Sequence, residues 1–131
     1  MISLEMFGSD IIRVKITGYL KNNTDSEMII FNENGIKNKN KISFLNDNVK
    51  YNITNNDNEV ILKREGNDFI NYFKFNVDSS ICNYLLKDNN YDVDIDIKTN
   101  IIDVNDNVIY VKYVIIDSMC EYEFKIEINE L

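Results

Sequence analysis

The 131-residue chain contains no proline, histidine, tryptophan, alanine or glutamine, and only two cysteines and four glycines. Each gap closes off some chemistry. Without histidine the usual neutral-pH base and commonest metal ligand is missing, and neither thiol has an imidazole to activate it for attack. Gly8, Gly18, Gly35 and Gly66 are scattered, so no glycine-rich loop can cradle a phosphate. Cys82 and Cys120 are too few for a disulfide framework and read as small buried hydrophobes with reduced thiols. The lack of alanine, in a chain rich in β-branched and aromatic residues, argues against helices. No run approaches the ~18 apolar residues of a membrane span. Gly8, Ser9 and Asp10 interrupt the apolar N-terminal stretch, so no signal peptide is read and a cytoplasmic location is expected. On that reading the sequons at Asn22 and Asn52 are accidental.

What is present is asparagine, isoleucine, lysine and aspartate in abundance, a skew that an AT-rich genome produces. The 44% apolar content, with seven Phe and eight Tyr, is that of a folded globule. The length fits a single domain over residues 1–131 with a core of its own. The net charge of −8 is uneven. Residues 1–50 carry six acids and seven bases, whereas residues 51–131 carry sixteen and seven. An acidic second half disfavours nucleic-acid phosphate and anionic lipid, whose partners are Lys and Arg. It leaves solubility, or an acidic surface for a protein partner, as its use.

Strand grammar fills the chain. In residues 91–99 apolar and charged side chains alternate with a period of two, which places Tyr91, Val93, Ile95 and Ile97 on one face. Asp92, Asp94, Asp96 and Lys98 fall on the wet face. Comparable segments occur at about 12–19, 27–33, 41–45, 49–54, 58–65, 69–76, 80–86, 90–99, 100–104, 107–117 and 119–129. Residues 79–88 could instead form a helical turn, but strand is preferred. Asn34-Gly35 suits a type I′ hairpin, while Asn46-Asp47-Asn48, the Asn55–Asn58 run, Asn89-Asn90 and Asn105-Asp106-Asn107 carry residues that tolerate left-handed backbone. The expected fold is all-β: one antiparallel barrel of about 8–11 strands, since closure protects edges that a proline-free chain cannot blunt.

Phase then identifies what points inward. In Ile12–Thr17 and Tyr122–Ile128 the apolar members face the core. In Val60–Gly66, Arg64 falls in phase with Val60 and Leu62. An inward guanidinium needs acceptors for its five donors, so it either snorkels out at the barrel mouth or meets an anion or ligand inside. Tyr91 and Thr99 bracket the inner face of the 91–99 strand, and Tyr113 shares a face with Val111 and Ile115. Arg64, Tyr91, Thr99 and Tyr113 are therefore the candidate ligand-binding residues, with Tyr84 as a further lumen hydroxyl; the alternative for each tyrosine is a core residue with a bonded hydroxyl.

Catalytic and metal constellations are poor. Asp92, Asp94 and Asp96 stand roughly 6.8 Å apart along one face, too far for neighbours to share an ion without further ligands. Neither they nor residues 103–107 have the glycine and distal glutamate of a calcium loop. No catalytic residue, metal or cofactor is assigned. A carboxylate-pair hydrolase stays open because sequence alone cannot pair acids. Basic residues interleaved with aromatics, as a single-strand binder needs, are missing.

The ordered set Val60–Gly66, Tyr72-Phe73-Lys74-Phe75, Tyr91–Thr99 leading into Ile101–Val104, Tyr110–Ile115 and Phe124–Ile128 resembles the YwiB-like family. The likeness covers residues 58–131, with a looser match at Val14–Gly18. It departs at residues 79–91, where Leu85-Leu86-Lys87 replaces an expected Thr and Gly nearer Tyr84, so Tyr84 is not carried over as a ligand residue. Members are small bacterial proteins of unknown function with a calycin-like, lipocalin-related β-barrel. The resemblance implies that fold and little more, since the family has no established activity; the function expected of the chain is that of a non-enzymatic barrel holding a small ligand in its lumen or meeting a protein partner. A carboxylate- and tyrosine-dependent hydrolase or isomerase, and an acidic inhibitor or immunity-type protein, are the alternatives. Nothing in the chain sets an oligomeric state.

Overall fold

A computed structural model describes residues 11–131. The reading of Gly8, Ser9 and Asp10 lies outside those residues. Eleven strands are present among them: β1 (Ile11–Asn22), β2 (Met28–Asn38), β3 (Lys41–Asn46), β4 (Val49–Asn55), β5 (Val60–Glu65), β6 (Phe69–Phe75), β7 (Ile81–Leu86), β8 (Tyr91–Asp94), β9 (Ile97–Val104), β10 (Val108–Ile115) and β11 (Cys120–Glu130). All pairings are antiparallel and form one sheet, ordered β8-β7-β6-β5-β4-β3-β2-β1-β11-β10-β9 and curled into a half-barrel. The chain is thus all-β, as its alternation requires. No helix among the described residues is long and apolar enough to cross a membrane.

The two ends of that order are consecutive in the chain. The alternating run at 91–99 is a single stretch that changes neighbours midway. Its first half pairs with β7, through Leu86↔Tyr91 to Asn83↔Asp94, and Ile95 N–H extends the ladder to the Cys82 carbonyl at 2.9 Å. The next residue belongs to the other edge, since the Asp96 carbonyl accepts from Ile116 N–H at 2.9 Å and Ile97 pairs with Ile115. One run therefore joins both edges of the curled sheet. A bulge follows at Asn100, between the Tyr113↔Thr99 and Lys112↔Ile101 pairs. It flips the phase, so Ile97 and Thr99 are buried whereas Ile101 is exposed.

The interior is filled with side chains. Ile16, Phe31, Ile42, Ile53, Leu62, Phe75, Ile109, Phe124 and Ile126 are essentially sealed from solvent. Each such side chain contributes about 1.5–3 kcal/mol of burial. Phe31 meets Phe44, Tyr51 and Phe124 edge-on at 5.3, 5.0 and 6.1 Å, which fixes β2 against β3, β4 and β11.

The turns follow their chemistry with one exception. Asp47 and Asn48 take φ of 50° and 63° between the paired Asn46 and Val49, the geometry of a type I′ hairpin. Asp57 and Asn90 are left-handed too. Asn105 Oδ1 accepts from the backbone of Asn107 and Val108 at 2.8 and 2.9 Å, closing the β9–β10 turn. The hairpin expected at Asn34-Gly35 is not a turn. β2 runs through it to Asn38, and the chain reverses at Lys39 and Asn40, with Lys39 at φ 58°. Gly35 serves close approach instead, because a Cβ there would stand 2.5 Å from the Ser43 carbonyl and 3.0 Å from Phe44 Cβ. Gly18 has a similar role: at φ 151°, it passes β11 so closely that a Cβ would reach 1.9 Å from the Lys125 carbonyl.

Candidate functional site

The strands are unequal in height at one end of the sheet. β2 pairs with β3 only from Gly35 to Asn38, so Met28–Asn34 has β1 on one side and no ladder partner on the other among the described residues. Behind that gap lies a cavity of about 300 Å3 lined by Leu20, Asn22, Asp25, Glu27, Met28, Ile29, Arg64 and Tyr122. It is open to solvent.

Arg64 lines the cavity, on the same strand face as the buried Val60 and Leu62. It is only half-buried. Nε donates to Tyr51 Oη and Nη1 to Asn71 Oδ1, both at 3.3 Å. Its guanidinium lies 5.4 Å from the Tyr51 ring and 5.7 Å from the Phe69 ring. Asn71 is itself buried, and its Nδ2 donates to the Asn83 carbonyl at 3.1 Å and toward Cys82 Sγ at 3.9 Å. The guanidinium is therefore held by two acceptors, Tyr51 Oη and the fixed Asn71 Oδ1, and lies over two aromatic rings, with donors left over. No carboxylate among the described residues forms an ion pair with it.

The facing wall comes from β1 and β11. Asn22 and Tyr122 are cross-strand partners, and Asn22 Nδ2 donates to Tyr122 Oη at 3.2 Å. Asn22 Oδ1 accepts from Thr24 N–H at 2.9 Å, an Asx turn that shapes the β1–β2 connection. Burial raises the Tyr122 hydroxyl above its ordinary pKa, with smaller contributions from the negative charge of Cys120, Asp25 and Glu27. Tyr122 stacks on Tyr113 at 5.3 Å, linking this wall to the core.

The other candidate residues are placed differently. Tyr113 is 3% exposed and packs among Phe73, Phe75 and Tyr122; burial holds its hydroxyl far above the usual range. Thr99 is 2% exposed, and its hydroxyl lies 2.7 Å from that of Ser80. Tyr91, expected on the inner face, is 54% exposed at the first residue of β8. Its phase is correct, but it lies before the point where the strand becomes covered, so it is a surface residue. Tyr84 stacks on Phe69 at 5.8 Å and is half-buried. Of the four candidates the structure brings only Arg64 to the cavity. Asn22 was missed, although extending the inward phase of Ile16, Gly18 and Leu20 by one step reaches it.

The acidic ladder is solvated. Asn83 Nδ2 donates to Asp92 Oδ1 at 2.6 Å and to Asp94 Oδ1 at 2.9 Å on the exposed face. Cys82 is buried and free, and desolvation pushes its thiol up to about 11. Cys120 is free and half-buried.

The fold defines an all-β protein built on a single curled antiparallel sheet, with a side-chain-filled interior and a small open cavity at one end. No protein-family model and no curated protein matches the chain. The crystal structure of the ywiB protein from Bacillus subtilis does, with a TM-score of 0.67 over 93% of this chain and 92% of that one, at 18% identity. The likeness read from the strand order is thus matched by a solved YwiB structure. At that identity it is a likeness of fold.

Proposed function

We propose that the protein binds a small carboxylate-bearing ligand in the cavity beside Arg64. One observation carries this reading: a half-buried arginine in the cavity wall, oriented by Asn71 and by two aromatic rings, has no carboxylate partner among the described residues. A planar guanidinium with free donors suits bidentate recognition of a carboxylate. Leu20, Met28 and Ile29 offer an apolar wall for the rest of the molecule. The size of the cavity, room for on the order of ten waters, limits the ligand to a small one. Resemblance to YwiB supports the scaffold and says nothing of the ligand.

Titration calorimetry with straight-chain carboxylates of four to eight carbons, against the matching alcohols, tests it. The acids bind, the alcohols do not, and Arg64→Met weakens the acids at least tenfold, about 1.4 kcal/mol. Equal binding of acid and alcohol, or acid binding indifferent to Arg64→Met, overturns the reading.

A protein partner is a second reading, favoured by the unpaired side of β2. Among the described residues nothing pairs with the outer side of residues 28–34, which lies beside an Ile30 that is 67% exposed, a place where an extended segment of a partner could add a strand. A lysine at position 30 blunts such an edge, so Ile30→Lys abolishes a partner's binding in pull-down if this reading holds and leaves it intact otherwise.

A further inference from the structure

The cavity is lined by charges of both signs that do not pair. Arg64 stands on the core side, against Tyr51 and Phe69. Asp25 and Glu27 are exposed at the rim, in the connection between β1 and β2. Among the described residues none of the three forms an ion pair with another. The Asp25 carboxylate is held by the connection itself: its Oδ1 accepts from Glu27 N–H at 3.0 Å, and Asn22 Oδ1 caps the same turn. Both are near enough to Tyr122 to bear on its hydroxyl.

A plain carboxylate meets an attractive group inside and two repulsive ones on the way in. A plain amine meets the reverse. Only a ligand carrying both charges satisfies each, with its anion directed inward and its cation outward. Between them the wall is apolar, formed by Leu20, Met28 and Ile29, while the Asn22–Tyr122 pair offers neutral polar contact.

The geometry points to a small zwitterion as the ligand, specifically an α-amino acid with an apolar side chain: its carboxylate on Arg64, its ammonium toward Asp25 and Glu27, its side chain on Leu20 and Ile29. This inference rests on the carboxylate-binding reading above and narrows it to one ligand class. Two opposite charges on one small molecule also explain why the acids stand at the rim of a cavity whose wall is cationic.

The test separates the two readings. Leucine, isoleucine, methionine and phenylalanine are titrated separately into the whole protein by calorimetry, with 4-methylpentanoate and 3-methylbutylamine as the leucine analogues lacking the amine or the carboxylate. At least one of the four amino acids binds, and where it is leucine, at least tenfold tighter than either analogue. Arg64→Met abolishes both amino-acid and 4-methylpentanoate binding. The Asp25→Asn, Glu27→Gln double variant weakens only the amino acid, bringing it to the level of its deaminated analogue. Circular dichroism checks that each variant stays folded; the exposed Asp25 and Glu27 positions tolerate isosteric amides. If 4-methylpentanoate binds as tightly as leucine, or if the double variant leaves amino-acid affinity unchanged, the zwitterion proposal fails and carboxylate binding stands. If none of the amino acids binds, the proposal fails, and the straight-chain acids decide the broader reading alone.

Discussion

Ser80 and Thr99 face each other hydroxyl to hydroxyl at 2.7 Å, across the line where the edge beginning at β7 meets β9. The direction of this bond can be assigned. Ser80 Oγ donates its one proton to the Asn76 carbonyl at 2.8 Å, so Thr99 is the donor and Ser80 accepts. With no closing ladder between β8 and β9 among the described residues, the two edges are tied here by side chains, and the buried Thr99 hydroxyl is taken up in this contact.

Thr99→Val therefore costs about 1 kcal/mol in urea denaturation, the net value of one hydrogen bond. Ser80→Ala costs more, about 1–3 kcal/mol, because it strands the buried Thr99 hydroxyl and frees the Asn76 carbonyl. The double variant is less destabilised than the sum of the two. Additive losses would show that the contact is not an energetic link. Binding at the Arg64 cavity is unchanged in all three.

Gly35 gives a sharper loss. Alanine there would bring its Cβ to 2.5 Å from the Ser43 backbone oxygen, where no flexible side chain can yield. Gly35→Ala costs about 2–4 kcal/mol, at the high end of single substitutions. A hairpin-turn glycine would give a different pattern, with Gly35→Asn tolerated because asparagine adopts positive φ. Here Gly35→Asn is as damaging as Gly35→Ala, and thermal melting of the two variants separates the cases.

The contrast between Asn34-Gly35 and Asn46-Asp47-Asn48 shows what was legible in the chain. Both are turn-like by composition, yet only the second reverses the backbone. Local chemistry permits a turn; the packing of Phe44 and Ser43 against β2 decided that position 35 needed a missing side chain. Strand existence, antiparallel order and the inward phase of Arg64 were all readable, because a period of two survives tertiary context. Most of the cavity was not. Its walls bring residues 20–29 together with Arg64 and Tyr122, up to 102 positions apart, and that proximity depends on sheet curvature and unequal strand heights. Tyr91 had the right phase and the wrong height, a distinction that alternation does not encode.

Asn71 controls Arg64. It accepts the guanidinium on Oδ1 while Nδ2 donates to the Asn83 carbonyl, so its orientation is fixed from two sides. Asn71→Leu leaves that carbonyl and the arginine without their partner, and costs about 2–3 kcal/mol. It also weakens carboxylate binding severalfold while leaving the cavity lining intact. Calorimetry on the folded fraction checks this; unchanged affinity would mean that Arg64 finds its pose through Tyr51 and Phe69 alone.

Asn46 offers a gain. It is 5% exposed and follows the inward phase of Ile42 and Phe44, and its Nδ2 has no hydrogen-bond partner among the described residues. A buried unpaired amide costs about 1–3 kcal/mol. Asn46→Leu keeps nearly the same volume and removes the cost, while the left-handed turn residues Asp47 and Asn48 stay in place. The melting temperature rises by several degrees. A fall would mean that the Asn46 side chain is needed to set the hairpin.

Alkaline stability follows from acids whose pKa the fold raises: the buried Cys82 and Tyr113, and the half-buried Tyr110 and Tyr122. Desolvation raises Cys82 from 9.0 to about 11, with Asp94 adding to the shift and the Asn71 hydrogen bond opposing it. Burial first also raises Tyr113 and Tyr122, and does so for Tyr110, where the bond to Glu123 is the next cause. For each, the folded pKa exceeds the unfolded one, so the unfolded chain releases its proton at lower pH. Their contribution is fully present below the unfolded pKa and is lost as pH climbs toward the folded value. For Cys82 the window is about pH 9 to 11, and the tyrosines begin to add near pH 10. The urea midpoint falls across this range, and Cys82→Ala removes the part of the fall that begins near pH 9 while leaving the tyrosine part. The same burial keeps the Cys82 thiolate scarce, so at pH 8 a thiol reagent modifies the half-buried Cys120 first and reaches Cys82 only on unfolding. Equal labelling of both thiols in the native protein, read by peptide mass spectrometry, would contradict the sealed position of Cys82 beside Asn71.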